Sequence, residues 1–98
     1  MIVRLTETAQ LELERIADDL SVFNPARALR LFQELRAACE SLSDMPERFQ
    51  LVSRYDPAQI RRRVHGEYLI FYRVTPEAVD ILHILHGAMD YERILFPD

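Results

Sequence analysis

The last third of the chain contains three short runs of β-branched, aromatic and leucine residues. Two turn signals separate them, His65-Gly66-Glu67 and Thr75-Pro76-Glu77. This pattern predicts a three-stranded antiparallel meander. Alternate positions of the second run form two apolar sets on opposite faces: Tyr68, Ile70, Tyr72 and Val74 on one, Leu69 and Phe71 on the other. A strand that is apolar on both faces needs cover on both.

The third run should be apolar on both faces as well. Strict alternation places Ile81 and Leu85 on one face, and Leu82 and Ile84 on the other. The meander is therefore expected to be a buried sheet, and the rest of the chain must supply its two covers.

The first half of the chain predicts a strand followed by a helix. Alternation over residues 1–6 indicates a short strand, and Thr6 or Thr8 can cap the helix that follows. Apolar residues then recur at spacings of three and four: Ala9, Leu13, Ile16, Ala17 and Leu20. The acidic residues between them are interpreted as a solvated face: Glu12, Glu14, Asp18 and Asp19.

A second helix is predicted to begin at Asn24-Pro25, because asparagine caps a helix and proline suits its first position. Its apolar stripe comprises Ala28, Leu31, Phe32, Leu35, Ala38, Cys39 and Leu42, and Met45-Pro46 is expected to stop it. Because the connection between the two helices is short, they should form an antiparallel hairpin.

Two segments lack a clear period. Residues 47–59 read as a connection with a turn at Asp56-Pro57, and residues 91–96 as one or two helical turns that dock through Ile94, Leu95 and Phe96. The predicted order is β-α-α-β-β-β with a short C-terminal tail or helix, an α+β two-layer sandwich formed by one domain over residues 1–98.

The helical hairpin can cover one face of this sheet. The opposite face keeps Leu69 and Phe71, with only the C-terminal tail to cover them. We therefore expect an apolar surface to remain on that face, and such a surface on a small protein usually marks a partner site.

Charge and cysteine content narrow the function classes. All twelve basic residues are arginines, and sixteen acidic residues leave a net charge of −4. A large non-specific footprint on nucleic acid is therefore not expected from charge alone. Direct sequence-specific binding to nucleic acid by the protein alone is not expected either. Cys39 is the single cysteine, which rules out an internal disulfide. With no leader segment and no apolar run near ~20 residues, we expect a cytoplasmic protein without membrane contact.

The histidines allow a catalytic or a structural interpretation. His83 and His86 would lie on opposite faces of a strand, so no metal is expected, and no cofactor motif is present. Either histidine could form an acid–base set with Glu67 and Arg73 on a neighbouring strand. The alternative is that both histidines are ordinary polar residues at a sheet edge.

The run Arg61-Arg62-Arg63 also has two interpretations. In a strand, Arg61 and Arg63 share a face, where their guanidinium groups could hold carboxylates or phosphates. The alternative is a charged edge strand that discourages aggregation. Arg62 points the other way and needs a partner if that face is buried.

Two linked patterns carry a family resemblance. The first is Ile60-Arg61-x-Arg63-x-x-x-x-Tyr68-x-Ile70-x-Tyr72-Arg73, and the second is Val79-x-Ile81-Leu82-x-Ile84-Leu85-His86-Gly87-x-x-Asp90. Together they resemble the RelE/ParE superfamily of bacterial type II toxins, linked to plasmid stabilization, and its ParE branch more than its RelE branch. The opening strand, the helical hairpin and the break at Met45-Pro46 agree with this resemblance.

The resemblance implies a toxin that inhibits DNA gyrase by protein–protein contact and that a cognate, ParD-like antitoxin neutralises. It implies no catalytic residues, and it places antitoxin or target binding at Arg61, Arg63, Arg73, His86, Asp90, Tyr91, Arg93 and Phe96. The lack of lysine and the negative net charge favour gyrase over ribosomal RNA as the target.

Two alternatives stay open. One is a ribosome-dependent messenger RNA endoribonuclease of the RelE type that uses Arg73, His83, His86 and Tyr91. The other is an inactive toxin that only binds its antitoxin. Ala88-Met89 stands where members of the superfamily often have a basic residue, which bears on potency and on the choice of target.

Overall fold

The computed structural model describes residues 1–53 and 57–97. It contains, in chain order, β1 (Ile2–Leu5), α1 (Glu7–Ser21), α2 (Pro25–Glu40), two 3₁₀ turns (Ser41–Ser43 and Pro46–Arg48), β2 (Arg61–His65), β3 (Tyr68–Val74), β4 (Ala78–His86) and α3 (Tyr91–Leu95). This is the predicted α+β order. Within the described ranges, no helix is both long enough and apolar enough to span a bilayer.

Both long helices begin at the predicted caps. The Thr6 hydroxyl accepts a hydrogen bond from the amide of Ala9 at 3.1 Å, and the Asn24 side chain accepts one from the amide of Arg27 at 3.1 Å. Each cap satisfies an amide that has no partner within its own helix. Pro25 occupies the first turn of α2.

The end of α2 differs from the expectation. Regular α-helix stops at Glu40, before Met45-Pro46, and the two 3₁₀ turns carry the chain onward. Met45 adopts a left-handed backbone with φ of 46°. Of the predicted turn at Asp56-Pro57, Asp56 lies outside the described residues, while Pro57 and Ala58 lie in a turn.

The sheet has the strand order β1-β4-β3-β2. The meander β2-β3-β4 is antiparallel, as predicted, and β1 pairs with β4 in parallel. Gly66 has φ of 58° in the β2–β3 turn, a conformation that suits glycine. The backbone amide of Thr75 donates to the carbonyl of Ala78 at 2.8 Å and closes the β3–β4 turn.

The main core lies between the helical hairpin and the sheet. Residues from all of the long elements are buried there: Ala9, Leu13, Leu35, Ala38, Cys39, Leu42, Ile70, Tyr72, Val79, Ile81 and Ile84. The predicted stripes of α1 and α2 supply the helical part, and the predicted face of β3 supplies Ile70 and Tyr72. The hairpin therefore packs on the sheet through the surfaces that its periodicity indicates.

The predicted faces of β4 were wrong. Ile81 and Ile84 share the helix side, whereas Leu82 and Leu85 lie on the far side. A β-bulge is the cause: Tyr72 pairs with Ile81 and Phe71 with His83, so β4 carries one extra residue at this point. The extra residue reverses the alternation for the rest of the strand.

The expectation of an uncovered apolar far face was also wrong. Phe71 is fully buried and Leu69 is 8% exposed. Val52, Ala58 and Ile60 of the α2–β2 connection cover this face together with α3, whose Tyr91, Ile94 and Leu95 pack there with Phe96. The connection covers the sheet despite its lack of period, because a few apolar residues in irregular backbone are enough to cover a small patch.

Candidate functional site

The predicted site residues fall into separate places. Arg73 is exposed and lies in register with Asp80 of β4. Asp80 binds Arg4 of β1, with Arg4 Nε donating at 2.9 Å. The side chain of Arg73 makes no hydrogen bond or ion pair with a described residue, so it is an exposed cation beside the Arg4–Asp80 pair.

His83 is held by a carboxylate from α1. Its Nδ1 lies 3.1 Å from both carboxylate oxygens of Glu12, and one of these oxygens also accepts from the amide of Ile84 at 3.0 Å. Both side chains are mostly buried, at 21% and 23% exposure. The bonds place the proton on Nδ1, which leaves Nε2 as an acceptor. The sequence predicted that Glu12 lies on a solvated face. That prediction was wrong, because Glu12 binds His83 and the Ile84 amide.

His86 lies in a different environment. Its ring packs edge-on against Tyr68 with centroids 5.4 Å apart, and its Nε2 is 3.9 Å from Glu67. Its Nδ1 accepts from the amide of Ala88 at 3.0 Å, so the proton of the neutral ring is on Nε2. Thus the two histidines have opposite tautomers and different partners.

A cleft of about 500 Å³ lies beside His86, between α1 and the end of the sheet. We call it the α1–β4 cleft; its walls include Arg15, Ile16, Phe23, Tyr68 and Met89. Phe23 and Met89 are 86% and 47% exposed, which makes its rim apolar.

Tyr91 anchors α3 to the far face. Its ring stacks on Phe71 with centroids 5.1 Å apart, and its hydroxyl accepts from Arg62 at 3.0 Å. Arg62 thereby has the partner that its position requires. Asp90 and Arg93 are exposed, whereas Phe96 packs against the sheet.

The four residues of the endoribonuclease alternative therefore do not converge. Arg73 of β3 pairs with Asp80 of β4, and His83 and His86 follow Asp80 at intervals of three residues. Neighbouring members of this series are therefore about 10 Å apart along the strand. Tyr91 lies beneath Arg62 on the far face. Proton transfer needs partners within hydrogen-bond reach, and these four have separate partners.

Arg61 and Arg63 do share a face and meet Arg48, which the sequence did not single out. Arg61 donates to the carbonyls of Glu47 and Phe49 at 3.0 and 2.7 Å. Arg63 donates to the carbonyl of Ala38 at 2.9 Å and to the Ser41 hydroxyl. Arg63 thus binds the last turn of α2, where a cation is favourable.

Phe49 joins three arginines into one group, which we call the arginine cluster (Arg48, Arg61 and Arg63): Arg61 binds its carbonyl, and the other two lie over its ring. The guanidinium carbons of Arg48 and Arg63 lie 4.7 and 5.2 Å from the centre of the Phe49 ring. Burial raises the pKa of the Tyr72 hydroxyl, and the positive charges of all three arginines act against this rise. That hydroxyl donates to the carbonyl of Pro46.

Cys39 lies in the main core behind this cluster. Burial raises the pKa of its thiol to about 11, with Arg63 and Arg36 acting in the opposite direction. The thiol is fully buried, so it is a protonated core residue without nucleophilic character at neutral pH. In the described parts of the chain, no three histidine, cysteine or carboxylate side chains are grouped as a metal site would need.

The sequence interpretation missed Glu12, Arg48 and Phe49. For Glu12 a signal existed, since it follows Ala9 by three residues and precedes Ile16 by four, which places it along the buried stripe. Arg48 and Phe49 lie in a segment without a period, and only the folded connection brings them to β2.

The protein is a small α+β domain in which the predicted site residues lie on separate surfaces. Residues 3–91 match the family model of the ParE toxin of the type II toxin–antitoxin system parDE. Toxin RelE2 of Caulobacter vibrioides is 34% identical over 84 residues, 85% of this chain and 91% of the relative. A chain in the structure of the chromosomal ParDE TA system from P. aeruginosa has the same fold, with a TM-score of 0.76 and 21% identity over 88% of this chain and 95% of that chain.

The protein therefore belongs to the ParE toxin family of type II toxin–antitoxin systems, within the RelE/ParE superfamily.

Proposed function

We propose that this toxin inhibits DNA gyrase by protein–protein contact, without an active site of its own, and that a cognate ParD-like antitoxin neutralises it in the cytoplasm. The observation that carries the proposal is the dispersal of Arg73, His83, His86 and Tyr91. A ribonuclease needs an acid, a base and phosphate-binding cations around one scissile bond.

The net charge supports the same proposal. Sixteen acidic residues against twelve arginines leave a charge of −4. An RNA backbone is bound through exposed cations, and a net negative protein is poorly suited to it.

The site residues proposed for the antitoxin or the target divide among three surfaces. Arg61 and Arg63 belong to the arginine cluster, and His86 borders the α1–β4 cleft. The C-terminal segment, α3 with the residues that cap it, carries Asp90, Tyr91, Arg93 and Phe96. Arg73 is apart from all three. A partner that contacts all of them must wrap around the toxin, as an extended antitoxin segment can.

One observation favours the endoribonuclease as the second candidate. Glu12 binds Nδ1 of His83 and leaves Nε2 as an acceptor, which is how a carboxylate orients a general base. The relative from Caulobacter vibrioides also bears the name Toxin RelE2.

Two assays with the purified toxin separate the candidates. In the first, gyrase supercoils relaxed plasmid in the presence of increasing toxin, with topoisomerase IV as the specificity control. In the second, a translation extract is programmed with a defined messenger, and cleavage sites are mapped by primer extension. Lost supercoiling with intact messenger supports the gyrase proposal. Codon-linked cuts that disappear in His83→Ala refute it, and two blank assays identify an inactive toxin.

A further inference from the structure

One line of side chains on α1 combines apolar and charged residues in a symmetric order. Leu11, Arg15, Asp19 and Phe23 follow one another at intervals of four residues along α1 and the turn after it. The amide of Phe23 donates to the carbonyl of Leu20 at 3.0 Å, which keeps this turn close to the helix. Residues four apart are neighbours on a helix surface. We call these four residues the α1 ridge: it is apolar at both ends and carries one charge of each sign between them.

The α1 ridge is exposed along its whole length. Leu11 is 58% exposed and Phe23 86% exposed. Arg15 and Asp19 are exposed too, and neither side chain makes a hydrogen bond or an ion pair with a described residue. Single exposed apolar residues are ordinary on protein surfaces. Here two of them share one line with two unpaired and opposite charges, so the line as a whole has the composition of a contact surface.

A two-fold rotation places each ridge residue opposite a complementary one. The axis of this rotation crosses α1 at the level of Ala17. Leu11 and Phe23 each lie six residues from Ala17, so Leu11 of one copy faces Phe23 of a second, antiparallel copy. Arg15 and Asp19 each lie two residues from it, so their opposite charges face each other as well. Because such an interface is isologous, every one of these pairings occurs twice.

The charge order distinguishes a second copy from other occupants of this surface. A uniformly acidic partner would oppose Asp19, and a uniformly basic partner would oppose Arg15. A nucleic acid would be repelled by Asp19 in the same way. A parallel second copy would place each charge opposite its own sign. Among these arrangements, an antiparallel second copy is the one that neutralises both charges and covers both apolar ends.

We propose that the α1 ridge is a self-association surface through which two copies of this toxin form an antiparallel, two-fold symmetric dimer. Two helix faces bury less area than the ~1,200–2,000 Å² of a stable interface, so we expect a weak dimer with a dissociation constant on the order of micromolar. The dimer needs neither an antitoxin nor gyrase, so it is tested separately from the proposed function.

The dimer would also limit access to the α1–β4 cleft. Arg15, Asp19 and Phe23 belong both to the α1 ridge and to the wall of that cleft. A second copy that covers Phe23 therefore stands at the cleft rim. A partner that enters the cleft has to displace the second copy, which couples the availability of this surface to the concentration of free toxin.

Sedimentation velocity of the purified toxin measures the association directly. We expect the weight-average mass to rise from that of a monomer towards that of a dimer between about 1 μM and about 300 μM protein, a range that brackets a weak dimer. High salt should weaken the association, because exposed charges are screened. A monomer mass over the whole range overturns the proposal.

Charge reversal at the ridge tests the two-fold pairing. Arg15→Asp and Asp19→Arg each place like charges opposite one another, and symmetry applies each change twice. We expect the dissociation constant of either variant to rise about tenfold or more. An equimolar mixture of the two variants should dimerise again, because each substituted side chain then faces an opposite charge on the other chain. An effect within one helix cannot be rescued by mixing, so a mixture that remains monomeric overturns the proposal.

Two further variants complete the test. Arg30→Asp is the matched control, since it makes the same charge change at an exposed position of α2 and should leave dimerisation unchanged. Phe23→Ser should weaken the dimer about tenfold at an unchanged melting temperature, because Phe23 is exposed in the monomer. Equal weakening by Arg30→Asp would assign the effect to net charge and overturn the proposal. So would a monomeric toxin whose binding to the protein of the neighbouring reading frame is weakened by Phe23→Ser, because the ridge would then belong to that partner.

Discussion

The two faces of the sheet are both apolar, yet they are covered in different ways. On the helix side, α1 and α2 contribute fifteen and sixteen residues with regular apolar stripes. On the far side, the cover is the five-residue α3 and part of an irregular connection. A cover made of regular helices can be recognised in the sequence by the period of its apolar residues. An irregular cover depends on a few apolar residues whose spacing has no period, so the sequence does not reveal it.

The difference has a functional consequence. The far-face cover is thin, but it closes Leu69 and Phe71 off from solvent. The sequence predicted an open apolar sheet face as the partner site. Because that face is closed, a partner cannot bind there. The surfaces that remain as candidates for recognition are the arginine cluster, the α1–β4 cleft and the exposed residues of α3.

The largest expected effect compares one substitution on each face. Leu35→Ala opens a cavity in the main core and should lower the free energy of unfolding by ~2–5 kcal/mol, whereas Leu69→Ala should cost about 2 kcal/mol, because the thin cover can collapse into the gap. Urea unfolding followed by circular dichroism measures both. Equal costs would show that the two covers are equally rigid.

The second prediction concerns alkaline pH and the helix side of the sheet, where Cys39 and Tyr72 are both buried. The thiol of Cys39 has a pKa raised from 9.0 to about 11, so its contribution to stability is complete below pH 9 and is lost as the pH rises through 11. The full loss corresponds to about 3 kcal/mol. Urea unfolding at pH 8 and pH 10.5 should show part of it. Cys39→Ala is the control and should reduce the fall, leaving the contribution of Tyr72, whose pKa is also raised.

The third prediction tests the junction between α1 and β4. Glu12→Ala leaves the Ile84 amide and the His83 ring without their partner, and we expect a loss of ~1–3 kcal/mol. Glu14→Ala, an exposed change on the same helix, should stay within about 0.5 kcal/mol of wild type. Similar melting temperatures for the two variants would contradict the role of Glu12 as a bridge.

The smallest effect belongs to the far face. Tyr91→Phe keeps the ring on Phe71 and removes the hydroxyl that accepts from Arg62, at an expected cost of ~0.5–1.5 kcal/mol. Hydrogen exchange should become faster in α3 and remain unchanged in α2. Faster exchange in α2 as well would mean that the two covers unfold together.

Much of the fold could be predicted because its signals are local. Thr6 and Asn24 cap helices through their own neighbouring amides, and the turn at Gly66 needs a residue that tolerates positive φ. The bulge could not be predicted from alternation, since it arises when β4 pairs with β3 over a specific register. One extra residue was enough to exchange the faces of Ile84 and Leu85.

The site was less predictable. Arg61 and Arg63 were correctly placed on one face, because period two fixes the relative direction of strand residues. Their partners in the cluster, Arg48 and Phe49, were not predicted, because these residues come from another segment of the chain. Likewise, the orientation of the His83 ring is set by Glu12, which lies 71 residues away along the chain.

By itself, then, the amino-acid sequence determined the elements, their order, the helix caps and the surface that the hairpin presents to the sheet. Each depends on interactions within a few residues, which periodicity and residue type encode directly. Tertiary structure alone decided the register of β4, the closure of the far face and the meeting of three arginines around Phe49. Those features depend on contacts between distant segments, and no local pattern specifies such a contact.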